Sequence, residues 1–153
     1  MLDVGDTIPE FDLPTNGGGS LSRKGLKGKT VVMYFYPKDM TPGCTTEAQD
    51  FRDHIKAFEK AGAVIVGVSK DSVKRHDNFV AKQELPFQRL SDEEGTLCED
   101  FGVWVEKNMY SKKYMGIQRA TFVIDGKGKI VHAWPKVKVK GHVEEVLEVV
   151  QAL

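Results

Sequence analysis

The chain has 153 residues, 41% hydrophobic and 29% charged, and its 22 basic residues balance 22 acidic ones. That length suits one compact domain with one core across residues 1–153. Zero net charge gives no footprint for a nucleic acid or an anionic membrane surface, no apolar run reaches transmembrane length, and two cysteines make no disulfide framework.

The segment Met1–Asp6 lacks a basic stretch followed by an apolar one, so no signal peptide is expected. Free thiols then suit a reducing, cytoplasmic setting. Asn16–Ser20 reads as a Gly-rich loop between two short N-terminal strands. Thr30–Tyr36 is a continuous apolar and aromatic run and predicts a central strand. Cys44–Ala61 predicts a helix. Ala48, Phe51, Ile55 and Phe58 recur at helical spacing on its buried face, and Gly62 stops it. Ala63–Ser69 predicts a second buried strand. Ser72–Gln83 predicts a helix capped by Asp71 or Ser72. Ser91 with Glu94 predicts a capping box before a short helix carrying Leu97, Cys98 and Phe101. Arg119–Ile124 and Lys129–Trp134 predict a hairpin around Asp125–Gly128. Lys136–Lys140 alternates like an edge strand with a solvated lysine face. Val143, Leu147 and Val150 give the last helix its apolar stripe.

This order matches a thioredoxin-like α/β sandwich with a central mixed sheet and an N-terminal extension. The chemistry concentrates in Tyr36-Pro37-Lys38-Asp39-Met40-Thr41-Pro42-Gly43-Cys44-Thr45-Thr46-Glu47. There a buried strand runs into a Pro/Gly-punctuated loop, and the loop delivers one cysteine to the first turn of a helix. Unpaired N–H groups and the positive end of the helix dipole favour a thiolate at such a position.

The spacing Pro37-x-x-x-Thr41-x-x-Cys44 resembles the active-site motif of peroxiredoxins. The string YFYPKDMTPGCTTEAQDFRD is similar to the Q-type subfamily, also called the bacterioferritin comigratory protein class. FDLP at Phe11–Pro14, VGVSKDS at Val66–Ser72, LSDEEGTLCEDFGV at Leu90–Val103, KNMY at Lys107–Tyr110 and GIQRATFVID at Gly116–Asp125 extend the resemblance over nearly the whole chain. It implies a thioredoxin-type fold, no metal or organic cofactor, and a thiol peroxidase acting on hydrogen peroxide and small organic hydroperoxides. Thioredoxin or a glutaredoxin/glutathione system would be the thiol donor, and the chain is expected to be a monomer.

By the same resemblance Cys44 is the peroxidatic nucleophile, attacking a hydroperoxide oxygen and becoming a sulfenic acid. A free thiol has a pKa of ~8.5, and one held at roughly 5–6 gains only about 30-fold in thiolate while losing intrinsic nucleophilicity. The remaining acceleration must come from groups that bind the two peroxide oxygens as charge moves between them. Thr41 would hold the peroxide through its hydroxyl. Arg119 would supply a permanent positive charge. Pro37, lacking an N–H, would shield the pocket. Glu47 would orient Arg119.

The positions where Q-type relatives carry a resolving cysteine hold Gln49 and Val80. Val80 could be an engineered replacement, or a native valine on the buried face implied by its spacing from Val73. Two routes stay open: a one-cysteine peroxidase served by an external thiol, or a Cys44–Cys98 disulfide. A disulfide would require Cα atoms within about 7 Å. Two other functions compete. A disulfide oxidoreductase lacks its Cys-x-x-Cys. A thioredoxin-fold binding module would leave the Pro/Thr/Cys/Arg set without a purpose. His54, His76, His132 and His142 show no metal-ligand spacing. Trp104, Met109 and Tyr110 would be ordinary packing, or, if exposed, an apolar collar for an alkyl peroxide or a docking patch for a reductant.

Overall fold

The structure is a computed structural model and describes residues 1–153. Its centre is a five-stranded sheet of β3 (Thr30–Phe35), β4 (Ala63–Ser69), β5 (Gln88–Ser91), β8 (Ala120–Ile124) and β9 (Ile130–Trp134), ordered β5-β4-β3-β8-β9. β3, β4 and β5 run parallel, whereas β8 and β9 join antiparallel. Two antiparallel pairs lie outside it: β1 (Asp12–Pro14) with β2 (Ser20–Ser22), and β6 (Trp104–Met109) with β7 (Lys112–Ile117).

Covering both faces of the sheet explains why β3 is apolar throughout. Val31, Met33 and Phe35 point into one core, with Ile8, Leu26 and the side chains of α4 (Thr96–Phe101). Val32, Tyr34 and Tyr36 point into the other. That core holds α1 (Pro42–Asp53), α2 (Ile55–Lys60), α3 (Val73–Gln83) and α5 (His142–Gln151) through Phe51, Phe58, Phe79, Val143, Val146 and Val150. Phe51 stacks on Tyr34 with ring centroids 4.6 Å apart. Burying such a side chain contributes roughly 1.5–3 kcal/mol, so the last turn of α1 is anchored on the sheet. No helix is long and apolar enough to cross a membrane.

Several elements differ from the sequence reading. The helix expected over Cys44–Ala61 begins at Pro42 and breaks at His54. The His54 ring takes the Asp50 carbonyl, at 2.8 Å, that its own N–H would take in a continuous helix, and the N–H turns to Phe51 instead. Ile55, just past the break, is only half-buried. Ser91 and Glu94 form no capping box. Asp92 caps α4, accepting from the N–H groups of Leu97 and Cys98, while the Ser91 hydroxyl donates to the Asp71 carbonyl. Ser72 caps α3 as expected, accepting from the Arg75 N–H at 3.2 Å. Lys136–Lys140 forms no strand. Buried Val137 donates its N–H to the Arg119 carbonyl, and the three lysines are exposed. Arg119 itself lies just before β8.

Candidate active site

β3 ends at Phe35, the loop crosses the carboxyl edge of the sheet, and Thr41 opens α1 as its N-cap residue with Pro42 at the first helical position. Cys44 falls in the first turn, only 1% exposed. β8 runs antiparallel beside β3 and pairs Ala120 with Phe35, which places the preceding residue, Arg119, opposite the start of α1. Arg119 Nη2 lies 3.3 Å from Cys44 Sγ, and Nη1 donates to Glu47 Oε1 at 2.7 Å. A Cβ at Gly43 would stand 3.2 Å from Arg119 Nη2, so the guanidinium lies across the helix start because that residue has no side chain.

The structure thus brings Cys44, Arg119 and Glu47 into direct contact. Thr41 donates its hydroxyl proton to the Lys38 carbonyl at 2.8 Å, which leaves the oxygen's lone pairs free to accept. Pro37 is half-buried between Tyr36, tied through its N–H to Val68, and exposed Lys38. Cys98 lies in the other core. It is fully buried on α4, with the sheet between it and Cys44. Burial and a hydrogen bond to Asp92 push its thiol far up, which disfavours the nucleophilic thiolate. Gln49 bonds Gln83 across to α3, and Val80 packs half-buried against the core of Cys44.

Glu47 is fully buried. Desolvation pushes its carboxyl up to about 7, against the pull of Arg119, and Oε2 has no protein hydrogen bond. Burial works against the Arg119 charge, but Glu47 and Cys44 outweigh it and raise the guanidinium further. Lys107 of β6, which the sequence reading passed over, shares this field. Burial and Arg119 lower its ammonium, while Cys44 opposes them. The fragment KNMY carries no sign of this, because the burial of Lys107 and its nearness to Arg119 and Cys44 arise only in the fold. His142, bonded to the Thr121 hydroxyl at 2.8 Å, is pushed down to about 4, chiefly by burial. Met109 and Tyr110 are exposed, whereas Trp104 is half-buried beneath the Lys70 ammonium.

Glu47 and His142 bias stability in opposite directions. Glu47 holds its proton more tightly folded than unfolded, so its contribution is full below about 4.5 and is lost as pH rises through about 7. His142 resists its proton when folded, so its contribution is full above about 6.5 and is lost as pH falls through about 4. Urea unfolding at fixed pH values should therefore show Glu47→Gln gaining stability with rising pH more steeply than the parent between about 4.5 and 6.5. His142→Asn should do the reverse, each by up to about 1.4 kcal/mol per pH unit. Parallel curves for all three proteins would contradict both assignments.

A family model described as the AhpC/TSA family matches residues 4–133. A Coxiella burnetii chain named putative peroxiredoxin bcp is 56% identical over 146 residues, 95% of this chain and 97% of the relative. Peroxiredoxin Bcp of Bacillus subtilis is 49% identical over 147 residues, covering 96% and 94%. A PrxQ cysteine-to-serine mutant from Xylella fastidiosa superposes with a TM-score of 0.94 at 42% identity, covering 99% and 97%. The Xanthomonas campestris bacterioferritin comigratory protein, described with alkyl peroxide reduction activity and trapped intermediate/ligand complexes, superposes at 0.90 with 46% identity, covering 96% and 98%.

Proposed function

The chain belongs to the AhpC/TSA family of peroxiredoxins and is a thiol-dependent peroxidase, and we propose that it is of the one-cysteine type, with Cys44 as its nucleophile. The observation that carries Cys44 as the nucleophile is the Arg119 fork, one nitrogen on its sulfur and the other on Glu47, and the burial of Cys98 in the core across the sheet supports the one-cysteine type.

The Cys44 thiolate attacks the near oxygen of a hydroperoxide. The S–O bond forms as the O–O bond breaks, the sulfur loses two electrons, and the departing oxygen takes a proton to leave as water or an alcohol. Arg119 faces the charge as it passes from sulfur to oxygen, and a preorganised cation there favours the transition state over the bound peroxide. Glu47 holds the fork in place and excludes other rotamers. The lone pairs of the Thr41 hydroxyl accept the O–H of the incoming peroxide. Pro37 roofs the loop without adding a donor that would compete for the sulfur.

The substrates are hydrogen peroxide and small organic hydroperoxides, the latter in keeping with the alkyl peroxide reduction described for the Xanthomonas campestris protein. An external thiol attacks the sulfenic sulfur, releasing water and leaving a mixed disulfide. A second thiol then frees Cys44. Thioredoxin, or glutaredoxin with glutathione, fills that role. The enzyme works as a monomer in the reducing cytoplasm, where its two unpaired cysteines stay thiols.

Peroxide consumption with excess thiol tests the loop's part in this. Thr41→Val keeps the shape but loses the hydroxyl, and should slow sulfenic acid formation by about 10–100-fold, while Thr41→Ser stays within about threefold. Equal rates in the parent and the valine variant would overturn the role given to Thr41.

A further inference from the structure

A seam of buried polar groups lies beneath the active-site loop, and Asp39 is its centre. Asp39 is 1% exposed and sits two residues before Thr41. Its N–H donates to Asp71 Oδ2 at 2.8 Å, and its carbonyl accepts from Arg75 Nη2 at 3.2 Å. Its Oδ1 accepts the Tyr36 hydroxyl at 2.5 Å, and its Oδ2 lies 2.6 Å from His76 Nδ1. His76 Nε2 faces the Leu90 carbonyl at 2.9 Å and is therefore the donor there. Every polar atom of Asp39 is thus held, by groups from just past β3, just past β4 and from α3.

The holders are themselves held. Asp71 accepts the Ser69 hydroxyl at 2.7 Å and Arg75 Nε at 2.9 Å. The Tyr36 hydroxyl accepts from Nε of fully buried Arg89 at 2.9 Å, and Arg89 Nη2 donates to the Tyr34 hydroxyl. Room for this guanidinium comes from Gly67, which pairs with both Tyr34 and Arg89 and at which a Cβ would stand 3.2 Å from each side chain. Asp39, Asp71 and His76 come close enough to suggest a metal site, but the seam already occupies their donor atoms.

So many bonds to one loop residue have a purpose in the chain that follows it. Met40 is exposed and adopts a left-handed conformation (φ 70°), which a residue with a side chain takes at a cost of about 1–2 kcal/mol. Lys38 and Thr41 close the turn through the Thr41 hydroxyl, and α1 with Cys44 starts there. A turn that is unfavourable by itself is kept only if its surroundings over-determine it.

We propose that Asp39 is a positioning residue of the peroxidase. Clamped to Asp71, Arg75, His76 and Tyr36, it fixes the Lys38–Thr41 turn so that the Thr41 hydroxyl faces the peroxide. The proposal rests on the role given to Thr41 above. It needs no titration of the clamp, only its geometry.

The test compares two reactions of Cys44 in the same folded protein. Sulfenic acid formation by hydrogen peroxide needs the Thr41 hydroxyl, whereas alkylation by iodoacetamide needs only the thiolate. Asp39→Ala removes the side-chain partners of both Tyr36 and His76. It should lower the peroxide rate about tenfold or more and leave alkylation within about twofold. Arg75→Ala removes only the bond to the Asp39 carbonyl and the ion pair to Asp71 from a half-exposed side chain, and should lower the peroxide rate about threefold with alkylation unchanged. It stands as the test if Asp39→Ala does not fold. Adding Thr41→Val to Asp39→Ala should slow the peroxide reaction little further, because both changes remove one interaction. Unchanged peroxide rates in the folded variants, or equal losses in both reactions, would overturn the proposal. Thr41→Val measured alone separates the two failures. If it is slow while Asp39→Ala is fast, only the clamp falls. If it is fast, the role of Thr41 falls and the clamp's purpose with it.

Discussion

Cys44→Ser should abolish peroxide consumption, while Cys98→Ser should keep the parent rate within about twofold. The two thiols have opposite surroundings. Cys44 sits in a helix first turn with a guanidinium nitrogen 3.3 Å from its sulfur. Cys98 is sealed beneath the other face of the sheet, and its thiol is held protonated by burial and Asp92. A serine at position 98 can still donate to Asp92, so the cost falls on packing and stability and not on chemistry. Steady-state peroxide consumption with excess thiol reads the difference. Equal loss in both variants would make Cys98 a partner in catalysis and would require the chain to open far enough to carry α4 past the sheet.

Arg119→Ala should slow sulfenic acid formation by about 10²–10³-fold, the scale seen when one preorganised donor to a developing charge is removed. The comparison is made at pH values where Cys44 is fully thiolate in both proteins, so that only transition-state stabilisation differs. Removing Arg119 also leaves buried Glu47 without its partner on Oε1, in addition to the unbonded Oε2. An uncompensated buried charge costs about 3–5 kcal/mol, and protonation of a carboxyl already pushed up to about 7 relieves part of it. Adding Glu47→Gln to Arg119→Ala should therefore recover stability without recovering rate. If the double variant regains the rate, Arg119 acts by holding Glu47 and not by facing the peroxide. If the loss in Arg119→Ala disappears once both proteins are compared as thiolate, the guanidinium serves only to ionise the sulfur.

The parts of the molecule that were legible in the sequence are those where burial imposes a period. β3, β4 and the buried stripe of α1 show it plainly, because one side of each packs on a core. β6 and β7 gave no such signal. Residues 106–115 are almost all exposed, on both faces, so nothing alternates. β5 is four residues long and carries Arg89, which reads as a surface residue and is fully buried. The break in the first long helix depends on one histidine ring reaching one carbonyl, which no spacing rule contains. Within the site, Cys44, Thr41 and Arg119 stood out by resemblance, and Glu47 by its place on the helix. The contact between Arg119 and Cys44 spans 75 positions and required the β3–β8 pairing to form. The seam around Asp39 was hidden for a similar reason. Its members come from four separate segments, and His76 was set aside because no ligand spacing surrounded it.

Intact-mass spectrometry of reduced protein given one equivalent of hydrogen peroxide, with a sulfenic-acid trap present, tests the central claim most directly. A single adduct, mapped by peptide analysis to Cys44, is the predicted result, and it means that an external thiol must complete the cycle. Loss of hydrogen with no adduct, together with a linked Cys44–Cys98 peptide, would contradict it.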